Sequence, residues 1–448
     1  MREKHPFFHS VALLAVPVAL QSMLQSSFSI IDQIMIGQLG SVSIAGVGLA
    51  GKLASIFSVI SAAVGAVAGI MISQYMGQRN DREVRRSFYL NLWLCVGIAA
   101  LFTVLCTLFP SQVMGLYTRD EATRQAAAEY LRIIGGTFLP MAGATLLSTQ
   151  FRCAEKPVYP LYASIVAALL NTGLNYVLIF GKCGLPAMGA RGAAIATLIS
   201  QYANLIIMLL LLPRKAPLPR RGGAAADFHT GQYLSMLLPV LVCEAMWSIG
   251  ENVYAAIYGH IGTAESAAMT LTNPVQGLVI GALCGLSQAA SVIIGKLLGK
   301  QDYDAAYTAG KRLMLYGAVG AAVLAVVVVA ASPLYVMIYQ MEPEVKALTR
   351  QILLAYAVVL PCKVLNMILG GGILRSGGRT KYIMFVDILG TWAFGVPLGL
   401  LSAFVLKLSL PWVYLLLSLE EGVRLLISAV IFRRRRWMHS LEGAENSI

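Results

Sequence analysis

The sequence predicts an all-α polytopic membrane protein: twelve transmembrane helices in two six-helix lobes related by pseudo-twofold symmetry. Three observations predict it. Of 448 residues, 58% are hydrophobic and only 12% are charged, against roughly 25% charged in soluble domains. Apolar stretches of about 20 residues, long enough to cross a bilayer as helix, recur along the chain. Prolines and glycines of the first half return in the second at one fixed interval: Pro17 with Pro239, Gly37 with Gly259, Gly40 with Gly262 and Gly77 with Gly299. With small slips, Pro110 answers Pro333, Pro140 answers Pro361 and Arg152 answers Arg375. Six-helix repeats in the same orientation imply an axis along the membrane normal, an architecture typical of secondary transporters.

The spans fall at residues 12–36, 45–73, 88–109, 125–148, 158–181, 191–212, 233–258, 266–295, 312–331, 348–373, 382–405 and 411–432. The first is the one the others serve. It carries no charge from Ser10 to Ile31 and then one carboxylate, Asp32. An acid at membrane depth is costly and marks a functional site by default. Pro17, about 22 Å earlier along the helix, removes a backbone hydrogen bond and supplies a hinge. Ser22, Gln25, Ser29 and Asp32 recur at helical spacing, so a polar stripe leads to the acid. The start, MREKHPFFHS, leads into a stretch too long for a signal h-region and without a small-residue cleavage site, so no cleavable signal is expected.

The formal charge of +13 would suggest nucleic acid on a soluble protein. Here the basic residues form short clusters between apolar spans, which is the positive-inside pattern. Most of the 34 lysines and arginines fall on one side if both termini share it: Arg2, Lys4, residues 79–86, Arg152, Lys156, residues 214–221, Lys296 to Arg312, residues 375–381 and Arg433–Arg436. That side is expected to be cytoplasmic, and the last run reads as an anchor at an anionic leaflet. The basic, Pro/Gly/Ala-rich stretch 213–231 reads as a cytoplasmic linker. It divides an N-terminal lobe (1–212) from a C-terminal lobe (232–432), with a basic cytoplasmic tail (433–448). The seven cysteines show neither CxxC spacing nor His pairing, so no metal site or disulfide framework is expected. A phosphate-cradling GxxxxGK[ST] loop is absent. Uphill movement of a solute would therefore need an ion gradient.

Three further constellations carry chemistry. Glu244, Trp247, Glu251, Tyr254 and Tyr258 repeat at helical spacing on the seventh span, alternating carboxylates with rings. Charge plus cation–π attraction suits an organic cation. Glu244 and Glu251 are expected to face a cavity, and Tyr258 to sit in the interfacial aromatic belt. On the tenth and eleventh spans, Lys363, Asn366 and Asp387 are cavity candidates, with Lys363 expected to neutralise Asp387 or Glu244 because buried charges are paired. Asp32 has a structural alternative, an ion pair with Lys52 on the next span. Methionines such as Met35, Met141, Met246 and Met269 can line an adaptable pocket, although most such residues are core or lipid-facing.

Several local sequences together resemble the multidrug and toxic compound extrusion (MATE) family over essentially the whole chain. The first helix reads P-x14-D-x4-G-x2-G in Pro17, Asp32, Gly37 and Gly40. The fifth reads NTGLNYVLIFG (171–181) and the sixth opens GARGAAIATLISQ (189–201). The seventh reads PVLVCEAMWSIGENVYAAIYGHIG (239–262), and GGILRSGGRTKY (371–382) follows the tenth. The resemblance implies cation-coupled export of organic, often cationic, drugs or metabolites by alternating access, with no cofactor beyond the coupling ion, H⁺ or Na⁺. By position it implies a cation site at Asp32, Asn171, Asn175 and Thr197. This site belongs to one branch of the family, whose best-known pattern has a second aspartate where this chain has Asn175. One carboxylate with amide and hydroxyl oxygens can still hold a hard cation. Alternatively Asp32 takes up a proton, since burial disfavours the charged form of a carboxyl. The expected substrate cavity holds Gln25, Glu244, Trp247, Glu251, Tyr254, Lys363, Asn366 and Asp387. The expected partners are a small organic substrate and the lipid bilayer of the cell membrane, with no nucleic acid and a monomeric state. A lipid-linked precursor flippase of the related superfamily is the alternative and predicts a basic cavity. An integral membrane enzyme would need clustered His, Asp or Ser at a membrane face, and none is seen.

Overall fold

The computed structural model describes residues 7–182, 184–215, 230–337 and 342–441. Sixteen α-helices follow one another there: α1 (Phe7–Ile36), α2 (Ser41–Gln78), α3 (Asp81–Leu108), α4 (Pro110–Gly115), α5 (Glu121–Ile134), α6 (Phe138–Cys153), α7 (Val158–Phe180), α8 (Ala190–Lys215), α9 (Thr230–Ile261), α10 (Thr263–Gly299), α11 (Tyr303–Met337), α12 (Pro343–Asn366), α13 (Thr380–Ile388), α14 (Val396–Leu400), α15 (Leu410–Leu417) and α16 (Leu419–Arg433). No strand occurs among the described residues. Lipid leaves backbone polar groups no partner but the helix itself, which is why apolar runs of this length become helices.

Local chemistry sets the ends. α3 starts where the Asn80 side chain accepts the Glu83 N–H (3.2 Å), with Asp81 and Glu83 at the positive end of the helix dipole. α5 starts at Asp120, which accepts the Thr123 N–H at 2.9 Å. Its exposed carboxyl, outside the spans, is held below the usual range by that contact with Thr123. Between α1 and α2 the chain turns through Gly40 at φ +90°, a left-handed conformation that glycine adopts without strain.

Among the described residues, eleven segments are long and apolar enough to cross a bilayer. They match the first eleven expected spans, with ends that run several residues further. The twelfth expected span, 411–432, is divided at Ser418 into α15 and α16. Its middle carries Glu420, Glu421 and Arg424, and Glu420 and Arg424 are buried. Of the linker expected at 213–231, residues 213–215 belong to α8 and 230–231 to α9, while 216–229 lie outside the described residues, as does the end of the tail at 442–448.

The chain divides into two compact units. One comprises Leu20–Ile72 and Asn80–Ala224, and is called the N-terminal unit below. Its core includes Phe57, Phe102 and Phe138, with ring centroids 4.8 Å (Phe57–Phe138) and 5.8 Å (Phe102–Phe138) apart. The other comprises Met1–Ala19, Ser73–Arg79 and Ala225–Ile448, the C-terminal unit. α1 thus passes from one unit to the other just after Pro17.

In the C-terminal unit helices approach closely at glycines. A Cβ on Gly77 would strike the backbone of Lys296, and one on Gly285 the backbone of Ala15. Three π-helical stretches, Met367–Leu374, Leu389–Gly395 and Leu401–Val405, interrupt the helices that follow α12. Such widenings free backbone groups and concentrate at functional sites. Here Ser287 of α10 donates to the Met367 carbonyl at 2.7 Å.

The basic run near the C-terminus, expected as a membrane anchor, makes specific contacts within the fold. Arg435 pairs with Asp304 (2.8 Å) and lies over the Tyr307 ring. Trp437 behind it is 1% exposed and stacks on Phe432. Gln74 of α2 donates to the carbonyls of Ser376 (2.7 Å) and His439 (3.3 Å) and accepts the Leu441 N–H (2.9 Å).

Candidate functional site

In the N-terminal unit, α7 carries Asn171 and Asn175 one turn apart, so both amides project from one face. α1 brings Asp32 to that face, and α8 brings Thr197 and Ser200. Asn175 Nδ2 donates to Asp32 Oδ1 at 2.7 Å and to Asn171 Oδ1 at 3.2 Å. Asn171 Nδ2 lies 3.4 Å from both Thr197 Oγ1 and Ser200 Oγ. With the Asn171 amide turned over, its nitrogen donates to Asp32 Oδ1 (3.0 Å) and Oδ2 (3.2 Å), and its oxygen accepts the Thr197 N–H (3.3 Å). This second setting gives each atom a complementary partner. Asn175 Oδ1 is buried and has no hydrogen-bond partner. The sequence-predicted set of Asp32, Asn171, Asn175 and Thr197 is therefore one connected cluster. Ser200 joins it without a sequence signal of its own.

The expected Asp32–Lys52 pair does not form. Lys52 is exposed on α2 and closes no ion pair among the described residues. Asp32 is held by amide N–H groups instead. Gln25 and Ser29, the other steps of the stripe, are exposed on α1. Met35 lines an open pocket of about 380 Å³ with Ile31, Ile34, Gln38, Tyr176 and Phe180.

The C-terminal unit holds a cavity of about 390 Å³ walled by α9, α10, α12, the π-helical stretch after it, α13 and α16. That volume suits a small organic ligand. Glu244, Trp247, Glu251, Lys363, Asn366 and Asp387, all expected from sequence, line it. Of the two remaining members of the expected set, Tyr254 lines an adjoining cavity and Gln25 lines neither. A second cavity of about 200 Å³ adjoins, lined by Glu251, Tyr254, Tyr258, Met269, Lys363, Tyr414 and Glu420, among others.

Charge pairing differs from expectation. Lys363 neutralises neither Asp387 nor Glu244. Glu244 pairs with Arg375 at 3.2 Å. Asp387 lies 3.9 Å from Arg424 and accepts the Cys243 thiol at 2.9 Å. Arg424 also reaches Glu420 (3.4 Å) and donates to Thr391. Tyr254 donates its hydroxyl to Glu420 at 2.6 Å, and Asn366 donates to Glu421 at 2.8 Å. Tyr258, expected in the interfacial belt, is buried against the smaller cavity. Arg375, counted in a cytoplasmic loop, has a side chain only 15% exposed.

Sequence reasoning gave no role to Glu420, Glu421 and Arg424. The available signal was three charges within five residues at the centre of an otherwise apolar span, the same signal that singled out Asp32.

An all-helical, multi-span chain with a connected polar cluster around one carboxylate and a charged internal cavity belongs to the class of membrane transporters. A family model, MatE, matches residues 17–177 and again 239–401. The chain belongs to this family, the MATE transporters, and its two matches begin at Pro17 and Pro239, in the register of the internal repeat. It is 24% identical over 437 residues to the uncharacterized transporter YisQ of Bacillus subtilis (strain 168), covering 96% of this chain and 95% of that one. It is 20% identical to the probable multidrug resistance protein NorM of Thermotoga maritima, covering 95% and 92%. Its fold matches the crystal structure of MATE in complex with MaL6 with a TM-score of 0.87 at 16% identity, covering 96% and 97%.

Proposed function

We propose that the protein exports organic cations, drugs or toxic metabolites, by alternating access, in exchange for an inward-moving cation. Multidrug resistance names among the relatives support the substrate class. The observation that carries the coupling is the cluster at Asp32, the single carboxylate of the α1 segment, fixed by Asn175 at 2.7 Å. The proton is the simpler coupling ion. Asn175 turns an N–H toward Asp32, and the turned setting of Asn171 adds another. A sodium ion would need both amides to present oxygen instead. Protonation neutralises Asp32 and gives it an O–H that the partnerless Asn175 Oδ1, after an amide adjustment, can accept.

Pro17 serves as the hinge in this reading, supported by its place just before α1 passes between units. Glu244, Glu251, Asp387 and Glu421 against Lys363, Arg375 and Arg424 make the larger cavity mixed in charge with one more acid than base. A pyrophosphate-carrying lipid would need the reverse, so the flippase alternative has no support from the cavity. Both termini face the cytoplasm in this reading, following the basic clusters, and one chain is the working unit in the cell membrane.

The test is ethidium transport by protein reconstituted in liposomes, under an imposed H⁺ or Na⁺ gradient. Uptake against the H⁺ gradient alone is expected. Transport driven only by Na⁺ would reassign the ion, and transport indifferent to both gradients would remove antiport.

A further inference from the structure

Most of the charged side chains that line the cavities of the C-terminal unit have a polar partner. Arg375 takes Glu244, and Arg424 takes Asp387 and Glu420. Asn366 donates to Glu421. Glu251 and Lys363 close no ion pair within 4 Å among the described residues. They are also the two charged residues that line both cavities.

Lys363 leaves α12 two residues after Pro361, and its ammonium lies 5.9 Å from the Tyr414 ring centroid. Its electrostatic neighbours are Tyr414, Glu421, Glu251 and Tyr356. An ammonium at membrane depth is held by opposite charge or not at all. Among the described residues no carboxylate closes to within 4 Å of it, and Glu251, Glu421 and Lys363 line the same cavity. Glu251 lines that space, and no hydrogen bond to its carboxylate is found among the described residues. An ammonium that faces carboxylates without closing on them leaves room for a guest of the same charge. Trp247 on one side of Glu251, with Tyr254 and Tyr258 on the other, offers rings to a bulky organic cation. A bare metal ion gains less from them.

We propose that Lys363 is a resident cation at the carboxylate subsite formed by Glu251 and Glu421, and that an organic cation binds by displacing it. Residue 363 then sets the affinity of the cavity for positive charge. The inference rests on the organic-cation reading above and adds the residue that tunes it. A lysine that merely braced the fold would lower binding when lost. A lysine that competes with the substrate would raise it.

The experiment measures ethidium binding by fluorescence anisotropy to the purified full-length protein in nanodiscs. Removing the competing charge in K363Q should tighten binding by about ten- to hundredfold, given a unit charge a few ångströms away at an effective dielectric near 20. K363R, which keeps the charge, should return to the weaker binding. E251Q should weaken binding, and K363Q/E251Q should lose most of the gain seen in K363Q. K363M carries the same expectation should K363Q not purify as a monodisperse protein. Unchanged or weaker binding in K363Q and K363M would overturn the inference, as would a gain that survives E251Q. Ethidium binding to none of these proteins, wild type included, would overturn the organic-cation reading itself. Binding indifferent to residue 363 would overturn this inference alone.

Discussion

Arg424→Met is the perturbation that examines the internal charge network of the C-terminal unit. The Arg424 side chain is 9% exposed and serves Glu420 (3.4 Å), Asp387 (3.9 Å) and Thr391. Its stem packs where Gly390 leaves room for it. Methionine keeps much of that volume, so the loss is mainly electrostatic. Glu420, 7% exposed, would keep only the Tyr254 hydroxyl, and Asp387 only the Cys243 thiol. Stranding a buried charge by deleting its partner costs about 3–5 kcal/mol. Asp387 is 27% exposed and can borrow cavity water, which puts the sum near the lower figure. At roughly 2–4 °C per kcal/mol for a unit of this size, the melting temperature should fall by about 6–12 °C. The assay is thermal unfolding of the detergent-purified protein followed by intrinsic tryptophan fluorescence. Adding Glu420→Gln to Arg424→Met should recover about half of the loss, because the stranded charge is then gone. A single mutant within about 2 °C of wild type, below the shift expected for even 1 kcal/mol, would refute the reasoning. So would a double mutant that melts at the sum of the two losses.

Three other outcomes follow from packing. Gly77→Ala places a methyl against the Lys296 backbone and should destabilise by about 1–3 kcal/mol, whereas Gly48→Ala, with open space around it, should not; paired melting curves decide. Trp437→Ala removes a 1%-exposed ring and should cost about 3–5 kcal/mol, while trypsin should cut faster within Arg433–Arg436. Gln74→Ala leaves two carbonyls and one N–H without partners, and should speed the same cleavage at a cost of roughly 1–3 kcal/mol for each buried orphan group.

Much of this molecule was legible from residue type and spacing. Long apolar runs have one solution in lipid, so the helices and the class followed from hydropathy. In the Asp32 cluster, the acid itself stood out as a lone carboxylate, and Asn171, Asn175 and Thr197 came from a family pattern. The pairing of charges was not legible. Lys363 can reach several acids from α12, and only packing decides that Arg375 takes Glu244 while Arg424 takes Asp387. Arg375 looked solvated because it opens a basic loop sequence, yet the chain tucks it inward beside α9. Tyr258 looked interfacial because it lies near the end of a span, but the neighbouring cavity buries it. The break at Ser418 was hidden because the apolar runs 411–417 and 425–432 on either side of the charged stretch read as one span. Ser200 became part of the Asp32 cluster only when α8 was laid against α7.

Ethidium transport by Asp32→Asn protein in liposomes, under the H⁺ gradient that drives the wild type, bears most directly on the coupling site. Asparagine preserves the shape and the contact with Asn175 but cannot exchange a proton. Gradient-driven transport should vanish while ethidium binding persists; wild-type transport rates in this variant would contradict coupling at Asp32.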